Sequence, residues 1–439
     1  MNPITRSIAG SLAFAAALLA QDPPKPAESK TTETTGSKIE IPGLQSLKFG
    51  GQYRLRYENL LDFDFDGDRT DDNDYFGQRI RLDFDFTVNE RLGAFVQVQD
   101  ARFWGETNST VSRASPGLDL HQGFLRVNDM PLTGGDVRLG RQELNYGDAR
   151  LVGSLDWATQ ARTFDGGRWR WHPSEKSDLD FFAVQLREDR TTLNRHDDAA
   201  LFGLYWANRC DDGALDLYAL GLNDQMTGAG GNEIRFTFGA RGVHRFDAFE
   251  LGAELATQAG EVDNADIPLG ETYGAHVHGT YRFEGRSKPY LRADLDAASG
   301  NDPGSADNER FDTLFPTAHA HLGMMDFVFW ENVSHASLAF GFEPCESSQL
   351  EASWRWFSSM EDTDAVGGPN GFLSTGGPGI DSDLGHEFDL KFRVNLDTKP
   401  AKTYVEFGYG MFIPGQGVKD SRGSDDLAHF FYAQGDLKF

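Results

Sequence analysis

Cysteine is nearly absent from this chain of 439 residues, in which only 2 occur. So few thiols exclude a disulfide-stapled scaffold and a metal site built from cysteine ligands. Long apolar runs are also missing after the N-terminus, and the mean hydropathy is −0.49, which excludes a bundle of transmembrane helices. Basic residues are outnumbered, with 41 Lys and Arg against 68 Asp and Glu and a net charge of −27. A nucleic-acid-binding protein, which needs a basic surface, is therefore not expected.

The first 20 residues have the features of a cleaved secretory signal peptide. Arg6 is the only charge before an apolar stretch at residues 8–20, which is too short to span a membrane as a helix. Residues 21–46 are rich in Pro, Lys, Glu, Ser and Thr, a composition typical of a disordered linker. The sequence thus predicts an exported protein with a signal peptide at 1–20, a periplasmic linker at 21–46 and a folded domain at 47–439.

The folded domain alternates apolar and polar residues with a period of two. In residues 79–88, for example, apolar side chains occupy the even positions and polar or charged ones the odd positions. This period places the two sets on opposite faces of a sheet, and no stretch shows sustained helical spacing. Similar runs occur at residues 234–246, 249–257, 273–283, 350–356, 384–396 and 403–411. The chain is therefore predicted to be all-β.

The connections between the predicted strands favour a membrane barrel over a soluble sandwich. About eighteen candidate strands are joined by connections that alternate between long and short, as in outer-membrane barrels with short periplasmic turns and longer extracellular loops. The final residue, Phe439, resembles the terminal aromatic by which such barrels are recognised for insertion. Trp169 and Trp171 share one face near a predicted periplasmic rim, where an aromatic girdle lies. We therefore predict a single transmembrane antiparallel up-and-down β-barrel in the outer membrane.

One block of sequence stands out from the generic alternation. Residues 140–148 read GRQELNYGD, Asp156 and Trp157 follow, and residues 162–168 read RTFDGGR. This block resembles the hallmark region of the alginate export family of outer-membrane barrels, residues 311–326 resemble a second segment of that family, and the likeness extends more loosely over residues 47–439. The resemblance implies an 18-strand barrel with an Arg-rich, electropositive constriction that passes an anionic polysaccharide such as alginate without catalysis.

The resemblance also implies particular residues in the pore. Within the matching block, Arg141 and Arg168 are expected to face the lumen, and Arg162 is a weaker candidate. Asp165 is expected to be their carboxylate partner. Arg141 and Arg168 are also assigned to inferred lumenal faces of the alternating strands.

Arginine dominates the basic residues, with 30 Arg and 11 Lys in the chain. Its guanidinium binds carboxylate or phosphate in a bidentate manner and stays charged, which suits the guidance of anions. Each arginine on an inferred lumenal face is equally suited to pairing with an acid on the neighbouring strand. The further candidates for lining the pore are Arg54, Arg56, Arg79, Arg81, Arg170, Arg241 and Arg393.

Two groups of residues are weak candidates for metal binding. Asp62, Asp64, Asp66 and Asp68 have the spacing of the first half of a calcium loop, but the twelfth position is Asn73 rather than the bidentate Glu that such a loop requires. A solvated acidic loop explains them equally well.

The second group consists of histidines. His276 and His278 share a face of one predicted strand, while His319 and His321 lie in the longest predicted loop. Nothing in the sequence shows that further ligands converge on either pair. No resident cofactor is therefore predicted.

The functional hypothesis is a non-enzymatic outer-membrane channel for an anionic polysaccharide or oligosaccharide. No G-x-S-x-G, H-E-x-x-H or Gly-rich phosphate loop is present. The alternatives are a porin for small anionic solutes and, from another class, a barrel-embedded or secreted protein that acts on or binds glycans. The expected partners are outer-membrane lipid, the anionic solute and a periplasmic export machinery, the barrel is expected to be monomeric, and Cys210 and Cys345 are expected to be free thiols on periplasmic turns.

Overall fold

The computed structural model describes residues 43–67, 71–105, 118–130, 134–187, 198–225 and 232–439. The predicted signal peptide at 1–20 and all but the last residues of the predicted linker lie outside these ranges. Within them, no helix combines the length and the apolar character needed to cross a membrane.

Nearly all of the regular structure is β-strand, as the period of two predicts. The strands are β1 Ser46–Leu61, β2 Asn73–Thr87, β3 Leu92–Phe103, β4 Leu118–Val127, β5 Asp136–Gln142, β6 Phe164–Ser174, β7 Ser177–Arg187, β8 Ala199–Cys210, β9 Gly213–Gln225, β10 Asn232–Phe246, β11 Phe249–Val262, β12 Ala265–Ile267, β13 Tyr273–Arg282, β14 Tyr290–Ala298, β15 Val333–Phe342, β16 Ser348–Ser358, β17 Val366–Gly368, β18 Gly371–Ser374, β19 Asp383–Thr398, β20 Ala401–Pro414 and β21 Ala428–Lys438. One short helix, α1, spans Gln416–Arg422, and a 3-10 turn spans Ala318–Ala320.

Eighteen of these strands form one closed antiparallel barrel, which confirms the predicted fold. β12 extends the sheet locally beside β11, and β17 and β18 form a separate hairpin. Closure is made by β1 and β21, with Gln52 opposite Lys438. At this seam Gly51 and Phe439 exchange backbone hydrogen bonds of 2.9 and 3.0 Å. Closure leaves no unpaired strand edge, which is a requirement for a sheet that spans a bilayer.

The barrel wall is apolar outside and polar inside, the reverse of a soluble protein. Leu255 and Leu295, for example, lie on the outer face with 60% and 61% of their surface exposed, while Glu254 and Asp296 beside them are buried on the lumenal face. Such an exterior suits contact with lipid tails. The expectation that the apolar half of each strand faces outward is therefore confirmed.

The connections keep the predicted parity. Short turns lie at residues 88–91, 175–176, 211–212, 247–248, 283–289, 343–347 and 399–400, and a further short connection joins β4 to β5, all at the same end as the two chain termini. Trp171 is exposed on the outer face close to this end, and both cysteines are free thiols in or beside these turns, as predicted. The end with the short turns is therefore the periplasmic one.

Candidate functional site

Two of the long loops fold back into the barrel. The first plug loop, residues 143–163, follows β5, and the second plug loop, residues 299–332, follows β14. They join along a short parallel bridge, in which the Phe315 N–H donates to the Leu151 carbonyl at 2.8 Å and the Gly153 N–H donates to the Phe315 carbonyl at 2.8 Å. The Arg162 guanidinium donates to the carbonyls of Gly153 and Pro316 at 3.2 and 3.0 Å. The two loops thus form one body, here called the plug.

The plug has its own apolar core. Val152 of the first plug loop and Met325 and Phe327 of the second are almost completely buried, and they belong to one cluster with Phe357 and Phe412 of the barrel wall. Removal of this apolar surface from lumenal water favours the folded-in position of the loops. The lumenal face is therefore apolar where the plug packs, although strict alternation predicts polar residues there.

Arginines of β1 and β2 hold the first plug loop against the wall. Arg54 donates to the backbone carbonyls of Asp156 and Trp157 at 2.6 and 3.1 Å. Arg79 donates to the Asp156 carboxylate at 2.6 Å, and the Arg56 guanidinium lies 3.7 Å from the centre of the Trp157 ring. A guanidinium offers five donors in a fixed fork and therefore suits a cluster of carbonyl groups. These predicted pore-lining arginines face the lumen as expected, but they bind the plug.

The Asp156 carboxylate supplies the negative charge in this contact. Burial inside the barrel disfavours the charged form, but the guanidinium groups of Arg79, Arg54 and Arg81 outweigh that effect and lower the pKa of Asp156 to about 2. Half of the Asp156 side-chain surface is still exposed to lumenal water. The carboxylate is therefore charged throughout the physiological range, and the ion pair with Arg79 is permanent there.

The depressed pKa predicts how plug anchoring depends on pH. Because the folded-state pKa of Asp156 lies below the value of about 3.9 for an unperturbed Asp, its contribution is fully present above that pH and is lost as the pH falls through about 2. We expect conductance fluctuations of the reconstituted protein to increase only below about pH 4. Asp156→Asn should show the increased fluctuations already at neutral pH, whereas Asp247→Asn in a periplasmic turn should behave as wild type. Identical profiles for Asp156→Asn and wild type would contradict the assignment.

Other contacts fix the plug around the rest of the wall. Arg241 of β10 binds Asp148 of the first plug loop through two hydrogen bonds of 2.7 and 2.5 Å. On β19, the Glu387 carboxylate accepts hydrogen bonds from the backbone N–H groups of Met324 and Met325 at 2.6 and 2.9 Å. The plug therefore spans the lumen instead of lining one side of it.

A buried charge network links the first plug loop to three further strands. Arg150 donates to the Asp296 carboxylate of β14 at 2.9 Å. The same carboxylate accepts from Nδ1 of His276 on β13 at 2.8 Å and from Nδ1 of His335 on β15 at 2.9 Å. All four side chains are buried. Asp296 is thus the carboxylate that contacts all three of these side chains.

Four arginines cluster on the lumenal faces of β4, β5 and β6, below the plug. Arg126 lies on β4, Arg138 on β5, and Arg168 and Arg170 on β6. Arg138 is directly opposite Arg168 in the strand register. Like charges opposite each other on one face destabilise a strand pair. We call these four residues the arginine patch.

The carboxylates near the arginine patch are fewer than its charges. Arg170 binds Asp180 through two hydrogen bonds of 2.6 and 2.8 Å. Arg168 has its Nε 3.9 Å from the same carboxylate, and this nitrogen makes no hydrogen bond. Arg138 lies 5.1 Å from the centre of the Phe124 ring and forms no ion pair within the part of the chain that the structure describes. The Arg138–Arg168 pair therefore offers positive charge that the wall does not neutralise.

The structure corrects the expectation for Arg141. Arg141 and Asp165 bind each other through hydrogen bonds of 2.7 and 2.8 Å, but both share the face of Leu139, which points away from the lumen. Asp165 is thus the partner of Arg141, as expected, and not of Arg168. Sequence reasoning missed Arg138, although the apolar Leu139 next to it indicates the correct face.

The remaining predicted pore residues are lumenal but paired. Arg81 donates to the Gln99 side chain at 2.7 Å, and Arg393 donates to Glu406 at 2.6 Å. Arg162, expected to line the pore, lies within the plug. Pairing with the wall or with the plug therefore accounts for most of the lumenal arginines.

The calcium candidate falls only in part within the described residues. Carboxylate oxygens of Asp62 come within 4.8 Å of those of Asp71 and Asp72. Asp64 donates its backbone N–H to the Asp71 carboxylate at 2.8 Å. Asp66 lies in the same loop, and Asp68 is outside the described residues. The arrangement is a turn stabilised by its own acidic side chains.

Comparison with known proteins agrees with this architecture. The model of the alginate export family matches residues 45–430. A search of curated protein sequences found no significant match. Three solved structures from Pseudomonas aeruginosa have a similar fold: OpdO (TM-score 0.58, 11% identity, 89% of this chain and 96% of that chain), the outer membrane protein opdK (0.57, 14%, 90% and 100%) and the outer membrane protein OprD (0.57, 11%, 89% and 94%). At these identities the similarity establishes the fold.

Proposed function

Since this chain belongs to the alginate export family and forms an outer-membrane channel of the porin type, we propose that it passes an anionic polysaccharide or oligosaccharide, such as alginate, across the outer membrane. Its family and fold are those of a non-enzymatic kind of protein. We accordingly assign no catalytic residue and describe the function as guided passage. A closed barrel with no free strand edge is compatible with a monomer, which we also propose.

The observation that carries this proposal is the Arg138–Arg168 pair. Arg138 forms no ion pair within the described residues, and Arg168, opposite it in the register, shares Asp180 with Arg170 at 3.9 Å. A sugar carboxylate passing below the plug satisfies both, because a carboxylate accepts bidentate hydrogen bonds from arginine. The neighbouring Arg126 is already neutralised by Asp85 at 2.6 Å, so binding is localised instead of spread over the whole wall. Weak binding at such a site permits release as well as entry.

The plug must move for a polymer to pass. The first plug loop crosses the lumen at the level of Arg54 and Arg79, so a chain of sugars cannot traverse the barrel in this conformation. We propose that a periplasmic export machinery delivers the polymer and that its entry displaces the plug. The predicted linker at residues 21–46 is the segment of this chain available for docking.

A porin for small anionic solutes is the second candidate. The plug favours it, because small ions pass through gaps that exclude a polymer. Both candidates use the arginine patch and differ in the size of the permeant. Blockade of ionic current by oligouronates of increasing length distinguishes them.

The direct test replaces the unpaired charges. The attraction between one guanidinium and an anion about 6 Å away in water is roughly 0.7 kcal/mol, which corresponds to about a threefold change in relative permeability. We therefore expect Arg138→Gln/Arg168→Gln to lower the anion-to-cation permeability ratio in planar bilayers by roughly threefold to tenfold, and to weaken oligouronate blockade. Arg141→Gln, which removes an outward-facing charge, is the matched control and should leave both measurements at wild-type values. Equal effects of the control and the double variant would refute the role of the patch.

A further inference from the structure

Three potential metal ligands converge on the lumenal face of β13 and β14. His276 and His278 lie two residues apart on β13, and His278 is opposite Asp294 of β14 in the strand register. One ligand atom from each lies within 4.8 Å of the others. The His276 Nε2 is 3.0 Å from the His278 Nδ1 and 4.0 Å from the Asp294 Oδ1. We propose that these three residues form a binding site for a divalent transition-metal ion.

The distances suit tetrahedral coordination. Metal–ligand bonds of about 2.0–2.1 Å place neighbouring ligand atoms about 3.3–3.4 Å apart. The distances from His276 Nε2 to His278 Nδ1 and to Asp294 Oδ1, 3.0 and 4.0 Å, lie on either side of this value. Small side-chain rotations therefore bring all three atoms to one ion. Three protein ligands leave a fourth position for water, as in zinc sites with an open coordination position.

Nearby carboxylates orient both imidazoles for this role. The Asp296 carboxylate accepts a hydrogen bond from His276 Nδ1–H at 2.8 Å, and in this tautomer Nε2 has a free lone pair. Glu250 lies 3.8 Å from His278 Nε2, so the other ring nitrogen of His278, Nδ1, is the one directed at the proposed metal position. Metal-ligating histidines in proteins are held by such carboxylate partners, which set the tautomer and raise ligand basicity.

The ligand set selects the class of ion. Two imidazole nitrogens and one carboxylate oxygen suit Zn²⁺ and its neighbours in the first transition row. Ca²⁺ and Mg²⁺ prefer sets made of oxygen. Arg292, which holds Asp294 at 2.7 Å, retains over a third of its side-chain surface exposed. Arg292 therefore orients the Asp294 carboxylate and reaches lumenal water at the edge of the site.

The site is coupled to the plug. Arg150 of the first plug loop places its Nη2 2.9 Å from His276 Nδ1 and 3.1 Å from His276 Nε2, the nitrogen that would bind the ion. A cation bound at Nε2 and the guanidinium repel each other at such short range. Metal occupancy therefore competes with this anchor of the plug.

The test measures metal binding by the full-length barrel in detergent. Titration calorimetry should show one equivalent of Zn²⁺ bound, with no comparable binding of Mg²⁺, and Co²⁺ should give the visible absorption of a tetrahedral complex. His278→Gln and Asp294→Asn should each weaken Zn²⁺ binding by about tenfold or more, as loss of a metal-site contact does. His172→Gln, which removes an exposed histidine that also contacts two acids, Asp178 and Asp136, is the matched control and should bind as wild type.

A further variant tests the coupling to the plug, and the folded state of every variant is checked by heat-modifiable gel mobility. Arg150→Gln keeps all three ligands and removes the competitor, so Zn²⁺ affinity should rise. Absence of Zn²⁺ binding by wild type, or wild-type affinity in His278→Gln, would overturn the proposal. An unchanged affinity in Arg150→Gln would overturn the coupling to the plug.

Discussion

Replacing residues 145–161 with a short Gly-Ser linker should raise the single-channel conductance severalfold, because a barrel of 16–18 strands has a wide lumen, which the second plug loop by itself fills less completely than the two loops together. Those residues include the part of the first plug loop that crosses the lumen and binds Arg54 and Arg79. The flanking strands β5 and β6 are adjacent and antiparallel, so a short linker closes the gap without strain in the wall. Planar-bilayer recording at fixed salt measures the effect.

Point variants separate the geometry of anchoring from its charge. Arg54→Lys/Arg79→Lys keeps both positive charges but loses the fork that reaches several carbonyls at once. We expect this variant to show frequent transient openings, with a selectivity like that of wild type. An unchanged conductance after the loop replacement would mean that the first plug loop does not obstruct the lumen, and the transport model would have to be abandoned.

The second large effect is expected at Asp296. Asp296→Asn leaves the buried Arg150 guanidinium without its carboxylate, and removing one partner of a buried ion pair costs about 3–5 kcal/mol. His276 and His335 lose the same acceptor, so the cost should lie toward the upper end. Denaturant unfolding in detergent, followed by tryptophan fluorescence, measures the loss of stability.

A double-mutant cycle tests whether the loss arises from the network. Arg150→Gln/Asp296→Asn removes both charges of the pair and should be less destabilised than the sum of its single variants. Asp119→Asn is the control, since this acid is largely exposed and its contact with Arg141 is long, at 4.0 Å. The loss of stability in this variant should be below about 0.5 kcal/mol. Additive losses at Arg150 and Asp296 would show that the two side chains stabilise the barrel independently.

The faces of the strands could be predicted because the signal is local. Each residue of a strand points opposite to its neighbours, so alternation alone assigns Arg79, Arg168 and Asp296 to the inside and Leu255 to the outside. Arg141 is an exception among the arginines expected to be lumenal. Its spacing from Leu139, two residues away, places it on the outer face.

The plug could not be predicted, since no period marks the residues that build it. Val152 and Phe327 lie in irregular segments, where only tertiary contacts decide whether an apolar side chain is buried. A long connection in a barrel is compatible with a loop outside the membrane and with one folded into the lumen. The choice depends on contacts with walls that are remote in sequence.

The sequence by itself determined the barrel, its strand faces and the excess of arginine, because these follow from neighbouring residues and composition. Tertiary structure alone decided which arginines bind the plug, which remain unpaired and where histidines converge. Arg54 reaches a carbonyl 102 positions away, and Arg150 reaches a carboxylate 146 positions away. Such partners meet only after the sheet has closed, so their pairing is a property of the closed barrel and leaves no local signal.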